Sequence, residues 1–242
     1  MRYFNTLIVL SILFVCSMPV NAQSPVLLYY YERIPYAVAD NQGEVSGLCA
    51  TTAAKAFRKA GIPYQWKKMP FKRQLVTIRH NKKRACGIGW FKNPEREEFA
   101  RFTDSIYQDK PAITISKKGN QALERHSDLK TLLKDRNVKL LVKDGFSYGI
   151  YIDGLIRKYG PEVVVVATST NIQMLQMILA GRADYYFASE EEAEHMVKSS
   201  GFSVSKFQLQ HYSDMPAGNP RYIACSQQIL PETIDLLNHA LK

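Results

Sequence analysis

The stretch from Gly87 to Arg96, Gly-Ile-Gly-Trp-Phe-Lys-Asn-Pro-Glu-Arg, brings a strand end, a helix start and a cation together. Asn93 can cap a free backbone N–H, and Pro94 fits a first helical position, so a helix is expected to begin at Pro94. An arginine in a first turn sits badly against the positive end of the helix dipole unless an anion arrives, in which case guanidinium and backbone N–H groups hold it together. Arg96 is therefore a candidate anion clamp. The plainer alternative is a solvated surface cluster in which Glu95, Glu97 and Glu98 neutralise it. Trp90 and Phe91 end the preceding strand beside this cation, which makes both cleft candidates, Trp90 the stronger.

A corner of this kind needs a sheet behind it, and the chain alternates strand and helix throughout. Val26 to Tyr31 is an apolar strand, and Ala50, Ala53, Ala54 and Phe57 form a helical stripe stopped at Gly61. Tyr64 to Lys68 is a second strand, Phe71, Leu75 and Ile78 mark the next helix face, and Arg84 to Trp90 is a third strand. This is a doubly wound β-α-β-α-β unit, whose ligands bind at the carboxyl ends of its strands. There Tyr31, Glu32 and Tyr36 offer aromatic faces and a carboxylate suited to an ammonium, although core or rim packing accounts for the tyrosines equally well.

Ala112 to Lys117 reads as a strand leaving this lobe, after which a second α/β unit begins. It has strands at Val138 to Val142, Val163 to Ala167 and Tyr185 to Ala188, and a helix from about Ser147. A further helix carries Ile172, Leu175, Ile178 and Leu179 and is closed by Gly181, while Ser189-x-x-Glu192 reads as a capping box. Pro216, Gly218 and Pro220 interrupt regular structure before Tyr222 to Ser226 returns to the first sheet, and Ile234, Leu237 and Leu241 pack the last helix. The expected lobes are 23–116 with 217–242, and 117–216. Two crossing segments imply a hinge, and closure around a ligand is the motion they support.

Residues 1–22 carry Arg2, the apolar run Leu7 to Val15 and the ending Val20-Asn21-Ala22, the features of a cleaved leader, with cleavage expected after Ala22. Bulky Val15 before Cys16 argues against lipoprotein processing. Losing the leader takes the 242-residue chain to 220 residues and its formal charge from +10 to +9, since Arg2 is the only charge removed. Much of the excess lies between Lys67 and Arg84, either as a solvated face or as a field that attracts anionic solutes or surfaces. Nucleic acid is not an expected partner of a secreted chain. Cys49, Cys86 and Cys225 remain, and in an oxidising compartment three cysteines suggest one disulfide and one free thiol.

The order of these features resembles the family 3 periplasmic solute-binding proteins, the polar-amino-acid type. The matching pieces are Ile34-Pro35-Tyr36, Gly43-x-x-x-Gly47, Asn93-Pro94-Glu95-Arg96, Phe102-Thr103-Asp104-Ser105-Ile106-Tyr107 and Gly181-Arg-Ala-Asp184. The resemblance implies a type II, two-lobed α/β fold, a periplasmic location, and capture of a carboxylate-bearing or amino-acid-like ligand for the permease of an ABC transporter. It places Cys86 and Cys225 on adjacent strands, which makes them the expected disulfide. Asp144-Gly145-Phe146-Ser147 falls where relatives have a Gly-Thr-Thr-like turn that holds a ligand carboxylate, although Ser147 as an N-cap is an equal account. Ser189 falls where many relatives place an aspartate for the ligand ammonium, with Glu190 or Glu191 as substitutes one or two places on. Asn93 stands where a Thr or Ser is usual.

Two other functions fit the same outline. One is an input module for a membrane sensor; the other is an enzyme like the periplasmic dehydratases of cyclic carboxylic acids, with Glu32 or Glu190 as acid or base. No Ser-His-Asp or Cys-His set is apparent, and His80, His126, His195, His211 and His239 lack metal spacing. No cofactor is expected, and a monomer is.

Overall fold

The computed structural model describes residues 24–166 and 170–242. The expected leader, residues 1–22, and Ala167 of the expected strand lie outside the described residues. The chain opens with β1 (Val26–Tyr30), a short hairpin of β2 (Val38–Ala39) and β3 (Val45–Ser46), and α1 (Ala50–Lys59). It continues through β4 (Tyr64–Lys68), α2 (Phe71–Arg79), β5 (Ala85–Trp90), α3 (Pro94–Glu97) and β6 (Ala100–Gln108). The next elements are β7 (Ala112–Lys117), α4 (Gln121–Glu124), α5 (Leu129–Lys134), β8 (Lys139–Lys143), α6 (Ile150–Tyr159) and β9 (Glu162–Val166). Then come α7 (Asn171–Leu179), β10 (Tyr185–Ser189), α8 (Glu190–Ser199), β11 (Phe207–Gln210), β12 (Pro220–Ser226) and α9 (Pro231–Leu241).

Two five-stranded mixed sheets organise these elements, in the orders β4-β1-β5-β12-β6 and β11-β7-β10-β8-β9. In the first, β1 is parallel to β4 and β5, and β12 returns antiparallel between β5 and β6. The periodicity of α1 lays Ala50, Ala53, Ala54 and Phe57 on one buried face, and Gly61 supplies the positive φ, 65°, that ends the helix. Cys86 and Cys225 are register partners on β5 and β12 and form the expected disulfide, leaving Cys49 buried and free. In the second sheet, neighbouring residues feed opposite faces: Leu141 and Tyr186 join one core layer, Leu140 and Tyr185 the other.

Three expectations need correction. β7, read as the end of the first lobe, pairs antiparallel with β10 and β11 in the second sheet. The chain therefore crosses at Asp109–Pro111, not after 116, and returns just before β12. The two crossings touch: Asp109 N donates to Asn219 O at 3.1 Å, and a Cβ on Gly218 would lie 2.0 Å from Asp109 O, so only glycine fits there. Second, α6 starts at Ile150 rather than near Ser147, with Gly149 at its N-cap. Third, Ser189 makes no side-chain cap for α8; the capping box is at α7, between Thr170 and Gln173.

Candidate functional site

Asn93 caps α3 as its sequence requires, its Oδ1 accepting the backbone N–H of Arg96 at 2.9 Å. That fixes the start of the Arg96 side chain, which turns inward and is only 5% exposed. Its Nη1 donates to Phe91 O at 2.8 Å, and its Nη2 to Gly145 O of the second lobe at 3.4 Å. The guanidinium lies 5.3 Å from the ring centre of Phe71 and 5.5 Å from that of Trp90. The acids that offered the surface-cluster reading do not pair with it: Glu95 pairs with Arg79 at 2.7 Å and Glu97 with Lys92 at 2.9 Å. Burial pushes the Arg96 guanidinium down to about 10, against the pull of Asp153 and Glu95.

The lobes also meet through side chains just past β1 and at the start of α8. Arg33 donates from Nε and Nη2 to the two carboxylate oxygens of Glu192, a bidentate pair across the cleft. The hydroxyls of Tyr36 and Ser189 hydrogen-bond beside it. Burial alone would raise the Glu192 carboxyl, but the charge and hydrogen bonds of Arg33 outweigh it and hold the group below its usual value. At the crossing segments Arg221 Nε donates to Asp109 Oδ1 at 2.6 Å and Nη1 to Gly89 O at 3.0 Å. Its guanidinium is stacked 3.8 Å from the centre of Tyr36 and 4.5 Å from that of Phe91.

Lys143, the last residue of β8, is 8% exposed. Its Nζ donates to Asn171 Oδ1 at 3.2 Å and Tyr31 OH at 3.4 Å, both uncharged, and burial with the nearby Arg33 pushes it down to about 8 against the opposing pull of Glu192. It stands between two hollows. One is lined by Arg33, Phe91, Ser189, Glu192 and Arg221; the other is a wider groove, partly open to solvent, that reaches Arg96. Among the described residues no group of His, Cys, Asp and Glu is arranged to hold a metal.

Of the residues singled out from sequence, Tyr31, Tyr36, Phe91, Arg96, Ser147 and Ser189 line these hollows or the smaller one beside them. Ser147 is not an N-cap: its Oγ donates to Asp153 Oδ2 at 2.5 Å and accepts Gly149 N–H at 3.1 Å. Trp90 is a correction. Its ring is fully buried with Ile78, Ala100 and Ala224, its Nε1 donating to Gln74 Oε1 at 3.2 Å, because β5 turns residue 90 under α2 and leaves the cleft to Phe91. Glu32 is another, engaged with Lys68 on the surface, and Glu190 lies 3.8 Å from Lys110 outside both hollows.

Sequence reasoning missed Arg33, Asp109, Lys143, Glu192 and Arg221. Glu192 reads as a helix-capping partner and Arg33 stands next to Glu32, but a run of Glu190, Glu191 and Glu192 offers no local mark of which member turns inward.

Two α/β lobes, two crossings and a cation-lined cleft between them define a type II periplasmic binding protein fold. The sequence matches bacterial extracellular solute-binding proteins, family 3, over residues 27–234, and the chain belongs to that family. No curated protein sequence matches it. Among solved structures, an ancestral arginine-binding protein bound to arginine superposes with a TM-score of 0.69 at 19% identity, covering 90% of this chain and 91% of that one. The arginine-, lysine-, histidine-binding protein ArtJ from Geobacillus stearothermophilus gives 0.70 at 15% identity, covering 90% and 87%. The ancestral amino acid-binding protein AncCDT-1, a precursor of cyclohexadienyl dehydratase, gives 0.66 at 17% identity over the same shares. At these identities the likeness shows the fold.

Proposed function

We propose that this protein captures a small carboxylate-bearing or amino-acid-like ligand between its lobes, closes on it about the two crossing segments, and delivers it to a membrane transporter. Its place of action on this reading is the periplasm, reached by way of a leader cleaved after Ala22, and it works as a monomer. One observation carries the reading: Arg96 is buried at the cleft with backbone carbonyls for partners and, among the described residues, no acid paired with it. A buried cation in that state is held at a cost that an arriving carboxylate relieves. Family membership and the amino-acid-binding neighbours support the same ligand class.

Binding is favoured over turnover because Glu32 and Glu190, the acids considered for a dehydratase, lie outside the hollows, and Glu192 and Asp109 are tied to arginines. The test is native mass spectrometry of freshly purified protein, followed by a thermal-shift screen of amino acids and organic anions. A midpoint rise with one compound class, with that compound recovered intact, supports binding; its conversion over time supports an enzyme instead.

A further inference from the structure

We propose that the ligand carries two anionic groups and no ammonium group, one anion resting on Arg96 and the other on Lys143. The proposal rests on the reading of Arg96 as the ligand anchor and extends it to the second cation.

Arg96 and Lys143 line the same groove. Both are more than nine-tenths buried, and both have only neutral oxygens as hydrogen-bond partners. Five cations and three acids line that groove, and one of the cations, Arg157, is exposed to solvent. Two of the acids are paired elsewhere, Asp144 with Lys72 and Glu95 with Arg79. The third, Asp153, accepts from Ser147 Oγ and from Tyr148 N at 2.9 Å. Among the described residues Arg96 and Lys143 are the two buried cations of the groove whose donors meet no carboxylate; a dianion meets both, and a monoanion leaves one of them uncompensated.

The absence of an ammonium follows from the acceptors. A ligand ammonium needs a carboxylate free to receive it. Both oxygens of Glu192 are held by Arg33, one oxygen of Asp109 is ion-paired with Arg221, and the Ser189 hydroxyl is bonded to Tyr36. The amide oxygen of Asn171 already accepts from Lys143. The two acids that line the first hollow are thus each already paired with an arginine, the arrangement suited to a small dicarboxylate or an equivalent dianion.

The test is calorimetry on protein purified after expression of the full chain, with succinate and glutarate as dianion probes. Butanoate serves as the monoanion, and L-alanine and L-arginine as the ammonium-bearing probes. A dicarboxylate is expected to bind at least about tenfold more tightly than butanoate or either amino acid. Lys143→Met is expected to bring the dicarboxylate down to the level at which the wild type binds butanoate. Lys143→Gln replaces it if that variant does not fold. An amino acid that binds more tightly than both dicarboxylates, or a loss below about threefold in the Lys143 variant, overturns the proposal. If Arg96→Ala still abolishes binding of that probe, the reading of Arg96 survives. Should no probe bind, or Arg96→Ala leave binding unchanged, both fall together.

Discussion

Arg33 and Glu192 lie 159 positions apart in the chain and meet as a two-point ion pair across the cleft, one from each lobe. The pair is a lobe-to-lobe latch made of the protein's own side chains. Its geometry requires the lobes to be together, since Arg33 follows a strand of the first sheet and Glu192 lies in the first turn of α8 beside the second.

Arg33→Ala is expected to open the lobes. It leaves Glu192 buried without its counter-ion, a loss of about 3–5 kcal/mol in the joined arrangement, and parting the lobes rehydrates the carboxylate. Small-angle scattering of ligand-free protein should show a larger radius of gyration for Arg33→Ala than for wild type. Arg33→Ala combined with Glu192→Ala should recover part of the difference, as residues in direct contact do. Identical scattering curves for all three proteins would remove the latch.

Truncating Arg96 is expected to cost about 2–5 kcal/mol of ligand affinity, roughly thirtyfold to several thousandfold, because it leaves a desolvated anion unpaired. Folding should survive, since the side chain makes no ion pair and its removal takes an uncompensated charge out of the interior. Arg96→Lys should also bind poorly, because an ammonium lacks the planar fork that spans Phe91 O, Gly145 O and an anion. Titration calorimetry checks both variants, and a loss below about threefold for Arg96→Ala would make it a structural residue.

Affinity for an anionic ligand should fall as pH rises through about 8, the value to which burial pushes Lys143 down. Below that pH the ammonium is present to meet the anion; above it the neutral amine has no charge to offer, and binding must take up a proton. The groups facing Lys143 are Tyr31, Asn171, Phe146, Arg33 and Glu192. Arg33 and Glu192 keep their charges across this range, and burial holds Tyr31 above its usual value and so neutral. Ligand-free stability should move the other way, rising between about pH 8 and 10, because the unfolded lysine, with its ordinary value near 10.4, binds more protons there than the folded one. Lys143→Arg should flatten both profiles. Binding isotherms and denaturant melts from pH 7 to 10 supply the measurement, and a wild-type affinity constant across that range would contradict the assignment.

The Cys86–Cys225 bond closes a loop with a sequence separation of 139. On the chain-entropy account its loss should destabilise the protein by about 4–5 kcal/mol. Cys86→Ala with Cys225→Ala, measured by chemical denaturation, is the comparison. Non-reducing peptide mapping should recover Cys49 unpaired. Its thiol, buried and pushed up to about 12 by that burial, should resist alkylation until the protein unfolds.

Local chemistry determined a good share of this protein. Asn93 and Pro94 start a helix because cap and first turn lie within three residues of each other, and α1, α2 and the strands around them follow from apolar periodicity that short-range geometry reads out. The cation at Arg96 and the alternation of strands and helices were legible on the same grounds. Tertiary structure alone decided the rest. The strand character of β7 is a property of its own residues, but its sheet depends on partners as far away as β10 and β11. A strand's two-residue period puts Trp90 and Phe91 on opposite faces without saying which face is the cleft, and helix α2 settled that by covering Trp90. Glu192 shares its composition with Glu190 and Glu191, and only packing brought Arg33 to it, because a buried charge selects its partner through space.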